Sequence, residues 1–262
     1  MKMRLARTAS ARLIRPFCLA KSVGRFQASD PMFELANCAA VIPCFNEADA
    51  IATLVPAVRR QIAQVWVVDD GSTDATGALA RRAGAAVLRH PRNLGKGAAL
   101  RSGLSRALDR GLTWAVTLDG DAQHAPEDLP ALFRCARDTG ARLVIGNRMG
   151  QAGKMPWLRR QANRWMSWQL SLQARRRLPD TQSGFRLIHL ETWATLSLAA
   201  ERFEVESETL MAFLAAGQPV EFVDVRVLPS RRKSHICPVA DTFRWVKWWR
   251  RYRRTMVDRA ST

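Results

Sequence analysis

The 262-residue chain has no apolar run of the roughly 20 residues needed to span a bilayer. The strongest candidate, 187–200, is too short and is interrupted by His189 and Glu191. Cysteine offers no framework either. Cys18, Cys38, Cys44, Cys135 and Cys237 are odd in number and no two are spaced C-x-x-C, which supports neither a disulfide scaffold nor a zinc site. A reducing, cytosolic setting fits. There is no internal repeat. Acidic residues are scarce: 23 Asp+Glu against 41 Lys+Arg leave a net charge of +18. That surplus calls for an anionic partner, whether nucleic acid, an acidic membrane surface or a phosphorylated substrate. Most of it is arginine, which favours bidentate phosphate contact, although high Arg and Ala also fit a plain compositional bias.

Hydrophobic residues make up 47% of the chain, enough to build a sizeable core. The length suits one α/β domain with an appendage. Residues 1–30 are rich in Arg, Ala and Ser, with Asp30 the only acid. They read as a transit-peptide-like or basic amphipathic segment, or as a tail without function, and lack the apolar centre of a secretory signal. Residues 1–35 are therefore set apart as a basic N-terminal extension, 36–235 as the catalytic domain, and 236–262 as a basic, Trp-rich tail.

From Asn37 the pattern is regular. Short apolar runs at 38–43, 65–68, 85–88, 114–118 and 143–145 predict strands. Helical spacing fills 48–63, 75–83 and 97–110, with Asp74 placed to cap the second, and Pro126 opens a further helix. This alternation predicts a largely parallel sheet with right-handed crossovers, flanked by helices. Ligands of such sheets bind beyond the carboxyl ends of the strands. Residues 43–47, 69–72, 119–123 and 146–148 all fall at strand ends and would share one rim. Further on, 156–177 predicts an amphipathic helix, 185–188 and 220–227 strands, and 205–216 a helix. In the tail, Phe243, Trp245, Val246, Trp248, Trp249 and Tyr252 alternate with Arg and Lys. That mixture suits a membrane-interfacial helix, a nucleic-acid contact or an ordinary packing helix.

The chemistry is most legible at Asp119-Gly120-Asp121. Two carboxylates one residue apart at a strand end offer oxygen ligands to a hard cation, and Mg²⁺ commonly binds through one or two carboxylates plus substrate phosphates. The same tripeptide also serves ordinary turns.

The motifs taken together resemble family 2 glycosyltransferases of the Rossmann-like GT-A fold. They are similar in particular to the branch that includes dolichyl-phosphate mannose synthases and polyprenyl-phosphate glycosyltransferases. The resemblance rests on Val41-Ile-Pro-Cys-Phe-Asn-Glu47, Val67-Val-Asp-Asp-Gly-Ser-Thr-Asp74 and Asn93-Leu-Gly-Lys-Gly-Ala-Ala99. It continues through Asp119-Gly-Asp-Ala-Gln-His124, Ile145-Gly-Asn-Arg148 and Asp180-Thr-Gln-Ser-Gly-Phe-Arg186, and covers about 40–234.

It implies a nucleotide-sugar site of Pro43, Phe45, Glu47, Val68, Asp70, Lys96, Asp119 and Gly120, in which Val68 and Asp70 contact base or ribose. It implies Mg²⁺ or Mn²⁺ on Asp119 and Asp121, with Gln123 as a further ligand. Arg148 faces phosphate or acceptor, and Glu206 is the acidic residue of the acceptor site. At Glu206 and Glu208 the bland alternative is compensation of the helix macrodipole.

The resemblance further implies transfer of a hexose, with inversion, from a nucleotide diphosphate sugar to a lipid-linked acceptor such as polyprenyl phosphate. The expected location is the cytoplasmic face of the cell membrane, with an anionic lipid surface as partner and nucleic acid disfavoured. Two departures stand out. Relatives carry Ser-Arg-x-Gly-x-Ser-Lys where this chain has Ser230-Arg-Arg-Lys-Ser-His235, so the phosphate contacts expected of Arg231, Arg232, Ser234 and His235 fall in an altered loop. A C-terminal membrane hairpin is also missing. A hydroxyl acceptor, or an idle basic binding protein, are the alternative readings.

Overall fold

In the computed structural model, which describes residues 37–229 and 238–260, strand β1 (Cys38–Cys44) is buried along almost its whole length. It pairs in parallel with β2 (Gln64–Asp69) on one side and β4 (Trp114–Thr117) on the other. Helices cover both faces, so the middle positions of these strands are apolar in succession rather than alternately. Val41 and Val68 pack with Leu100 and Leu104 of α3 (Lys96–Asp109). Ile42 and Val67 point the other way, into a cluster with Ile51, Leu54 and Val55 of α1 (Ala48–Arg59). Helix α2 (Thr76–Arg82) leads into β3 (Ala86–Arg89), parallel to β2. Asp74 anchors the start of α2: its Oδ1 accepts the Thr76 amide at 2.9 Å and its Oδ2 the Ala48 amide at 3.2 Å.

The second half adds α4 (Leu129–Thr139), β5 (Leu143–Asn147), α5 (Trp157–Ala174), β6 (Arg186–His189), α6 (Leu190–Ala194), α7 (Val205–Ala215), β7 (Val220–Asp224) and α8 (Pro238–Ala260). The sheet order is β3-β2-β1-β4-β6-β5-β7. All pairings are parallel except those of β6, which runs antiparallel to both β4 and β5. An antiparallel strand begins where its parallel neighbours end. Thus Arg186, the first residue of β6, lies opposite Thr117 at the end of β4, and the preceding loop 180–185 arrives at the same rim as Asp119.

The sequence expectation for β7 runs too long. The strand ends at Asp224, and Val227 makes only a lone bridge with His124. Helix α8 packs as part of the body. Trp245 and Trp249 are buried in the cluster that also holds Leu170, Leu210 and Met211, and the Trp245 indole N–H donates to Ser207 Oγ at 2.8 Å. Of the three readings open for this tail, these two tryptophans take the packing one. No helix among the described residues is long and apolar enough to cross a membrane.

Candidate active site

The carboxyl ends of β1, β2 and β4 are stitched into one rim. Asn46, held at φ +55°, donates its amide to Ser72 Oγ at 3.0 Å, and its side-chain oxygen accepts the Thr73 amide at 2.8 Å. Glu47 donates its amide to Thr76 Oγ1 at 2.7 Å. Gly120 is required by close approach: a Cβ there would meet Cys44 Sγ at 2.7 Å and Pro43 O at 3.2 Å. Pro43, Phe45, Glu47 and Gly120 therefore share the rim, as the sequence implies. Val68 does not offer its side chain. It is fully buried against Val41 beneath α3, because alternate residues of a doubly covered strand both point into a core.

Asp70 is committed to the protein. Its Oδ1 accepts the Leu94 amide at 2.9 Å and its Oδ2 the Gly95 amide at 2.8 Å. His90 Nδ1 sits 2.7 Å from Oδ1, and His90 Nε2 is 3.0 Å from Ser102 Oγ. A carboxylate holding two backbone N–H groups and an imidazole fixes a loop. Here it fixes the turn that delivers Lys96. His90 and Ser102 escaped the sequence reading, although His90 directly follows β3 and so falls at a strand end.

Lys96 reaches across the rim. Its ammonium lies 2.5 Å from Asp119 Oδ1 and 2.5 Å from Glu206 Oε1. Burial works against its charge, but the two carboxylates outweigh burial and raise its pKa above the ordinary lysine range. Burial likewise disfavours the Asp119 carboxylate. The Lys96 charge and a hydrogen bond from His124 Nε2 to Oδ2 at 3.2 Å more than offset that, holding Asp119 well below the ordinary carboxylate range. A Cβ on Gly184 would come within 2.4 Å of Asp119 Oδ1, so only glycine lets the loop before β6 close over this carboxylate.

Asp121 Oδ1 accepts the Gln123 amide at 3.1 Å, and Gln123 O accepts the Leu228 amide at 2.9 Å, which pins the turn. The described residues contain no ready cluster of three or more metal-binding side chains. The donor set nevertheless suits Mg²⁺ or Mn²⁺ shared with a substrate. Asp119 is firmly ionised, Asp121 lies two positions on, both are hard oxygen donors, and substrate phosphates would complete the shell.

Glu206 opens α7 and is 4% exposed. Its Oε2 is buried without a hydrogen-bond partner. Glu208, by contrast, is spent on structure: its carboxylate accepts the Ala199 and Ala200 amides. Arg148 is buried and bidentate to Asp180, with Nε–Oδ2 at 2.8 Å and Nη2–Oδ1 at 3.0 Å, and Asn163 Nδ2 donates to Asp180 at 2.9 Å. Arg148 thus stands at a strand end as expected, with its Nε and Nη2 groups spent on Asp180 while the side chain still lines the cleft. Lys96, Asp119, Arg148 and Glu206 line one cleft of about 670 Å³, which includes its open mouth. Arg159 of α5 and Trp245 of α8 line it too, and both were absent from the sequence expectation for the site. Burial, then the nearby Arg148 charge, lowers the Arg159 pKa. Arg231, Arg232, Ser234 and His235 lie outside the described residues.

A mostly parallel, doubly covered sheet with an Asp-Gly-Asp turn at its ligand-binding rim defines a glycosyltransferase of the GT-A class. The chain belongs to glycosyl transferase family 2, whose sequence model matches residues 39–191. It is 34% identical over 175 residues to polyprenol monophosphomannose synthase of Mycolicibacterium smegmatis, covering 61% of this chain and 64% of that one. It is 33% identical over 172 residues to undecaprenyl-phosphate mannosyltransferase of Micrococcus luteus, covering 61% and 69%. Among solved structures it superimposes on glucosyl-3-phosphoglycerate synthase of Mycobacterium tuberculosis, crystallised with Mn²⁺, UDP and phosphoglyceric acid. That match has a TM-score of 0.67 at 20% identity and covers 82% of this chain and 80% of the other.

Proposed function

We propose that this glycosyltransferase moves a hexose, with inversion at the anomeric carbon, from a nucleoside diphosphate sugar to a lipid-linked acceptor, polyprenyl phosphate, at the cytoplasmic membrane face. The observation that carries the reading is the convergence of Asp119, Lys96, Glu206, Arg148 and Arg159 on one cleft. The two curated relatives named above support the acceptor, since their names specify polyprenol monophosphate and undecaprenyl phosphate chemistry. The crystallised neighbour with Mn²⁺ and UDP supports a nucleotide donor beside a divalent ion.

The rim of Pro43, Phe45, Glu47 and Gly120 holds the nucleoside. Asp119 and Asp121, with Gln123, hold Mg²⁺ or Mn²⁺, which when bound offsets charge on the departing diphosphate. His124 and Lys96 keep Asp119 ionised and aimed. Arg159 and the unspent N–H groups of Arg148 meet the acceptor phosphate. A phosphate acceptor is already anionic at neutral pH, so its oxygen attacks the anomeric carbon without a base. Lys96 neutralises Glu206, so two anions are not left facing each other across the cleft. The test is transfer to a short-chain polyprenyl phosphate with added Mg²⁺ or Mn²⁺. Asp121→Ala is expected to lower kcat at least 100-fold, and turnover unaffected by chelation would overturn the reading.

One observation favours a second reading. The buried, unpartnered Oε2 of Glu206 is placed to take a proton from a hydroxyl acceptor. Glu206→Gln separates the two. If the acceptor is a phosphate, kcat changes less than about tenfold; if it is a hydroxyl, kcat falls by the 10²–10⁴ typical of a lost general base while donor binding persists.

A further inference from the structure

Helix α5 has two faces with different tasks. Arg159, Asn163 and Met166 line the cleft. On the other side, Trp157, Leu158, Trp165, Trp168 and Leu172 are exposed; Trp157, Trp168 and Leu172 are 65%, 55% and 57% accessible. At 3.6 residues per turn these five positions fall within an arc of roughly 100°. Trp165 is partly covered by Trp245 of α8, and the other four keep at least half of their surface accessible. Phe243 of α8 is 80% exposed and lies two residues before Trp245, whose ring meets that of Trp165 at 5.4 Å. Large exposed apolar patches on soluble surfaces mark docking sites.

The charge around the patch says what docks. Helix α5 carries Arg159, Arg160 and Arg164 and no acidic residue, and Arg175, Arg176 and Arg177 follow immediately. Arg164, Arg175 and Arg177 are exposed, as are Arg244, Lys247, Arg250 and Arg251 of α8. Tryptophan settles at the level of lipid headgroups, and each nearby Lys or Arg is attracted to anionic lipid. We infer that the outer face of α5, with Phe243, inserts into an anionic lipid monolayer, and that this helix rather than the tryptophans of α8 is the main docking element. The cleft then lies across the same helix, about 10 Å away, close enough for an acceptor phosphate to enter while its hydrocarbon stays in the bilayer. That consequence rests on the lipid-acceptor reading; the docking itself does not.

The test uses the full chain with vesicles of phosphatidylcholine alone or mixed with phosphatidylglycerol, at physiological salt and without donor. Wild type is expected to partition onto the anionic vesicles only. The triple variant Trp157→Ser, Trp168→Ser, Leu172→Ser is expected to lose about 100-fold in partition. Its circular dichroism melt and its stabilisation by a nucleotide sugar should be unchanged, which separates loss of docking from loss of fold or of donor site. Partition equal to wild type would overturn the proposal and assign binding to the basic termini. So would a wild-type dimer in sedimentation velocity that the triple variant dissociates, with no vesicle binding, because the stripe would then join two copies. Transfer to a soluble short-chain acceptor is read separately, so docking and transfer fail independently.

Discussion

Lys96 Nζ lies 2.5 Å from Asp119 Oδ1, joining the first turn of α3 to the acidic turn after β4. The same ammonium pairs with Glu206, so one cation holds two carboxylates that would otherwise repel each other in a poorly solvated cleft. Removing one member of a buried pair costs more than the pair contributes, because the remaining charges keep their desolvation penalty.

Lys96→Met is therefore expected to destabilise the fold by about 3 kcal/mol, at the low end for a buried pair since Asp119 is partly solvated. Adding Glu206→Gln should recover part of that loss, because it removes one of the stranded carboxylates. Urea denaturation of the two singles and the double gives the coupling directly. Strictly additive losses would show that Lys96 acts through packing instead.

Asp180 presents the same physics without the metal site. Burial would raise its pKa, but Arg148 and Asn163 hold it below the ordinary value of 3.8. A depressed folded pKa contributes stability that is present above about pH 4 and is lost as pH falls through the folded value. Asp180→Asn should cost about 3–5 kcal/mol at pH 7, by leaving Arg148 buried and unpaired. The gap to wild type should narrow below pH 4, where wild type loses its own carboxylate. A gap that stays constant down to pH 2 would contradict this assignment.

His189 gives a pH response in a milder range. Burial, then the Arg142 charge, lowers its pKa from 6.5 to about 4. Its neutral Nδ1 accepts the Thr192 amide at 3.3 Å and so starts α6. The unfolded chain binds the extra proton first, so stability is complete above pH 6.5 and falls as pH drops from 6.5 towards 4. Thermal melts across that window should show a slope that His189→Gln flattens; an unchanged slope would place the titration elsewhere.

The Gly184 contact shows why part of the site was legible and part was not. Asp119-Gly120-Asp121 could be read directly, because a β-prone run ending in two acids is a local pattern. So could the shared rim, because alternating strands and helices force strand ends to one side of a parallel sheet. That Gly184 must be glycine to pass over Asp119 depends on β6 running antiparallel between β4 and β5, and no local spacing records that order. That Asp70 anchors the loop at 94–95 was likewise hidden, because the two lie more than twenty residues apart in the chain.

By itself the sequence determined the α/β class, the rim of strand ends, the acidic turn and the basic surplus, because each follows from short-range period or composition. Only the tertiary structure decided which charges meet. Lys96 finds Glu206, Arg148 spends its fork on Asp180, and Arg159 enters the cleft, because helices and loops distant in the chain converge on one end of the strands. The structure also sorted the tryptophans, burying Trp245 and Trp249 of α8 and leaving Trp157 and Trp168 of α5 outside. An amphipathic pattern defines an apolar face; whether a core or a membrane covers it depends on what the rest of the chain brings alongside.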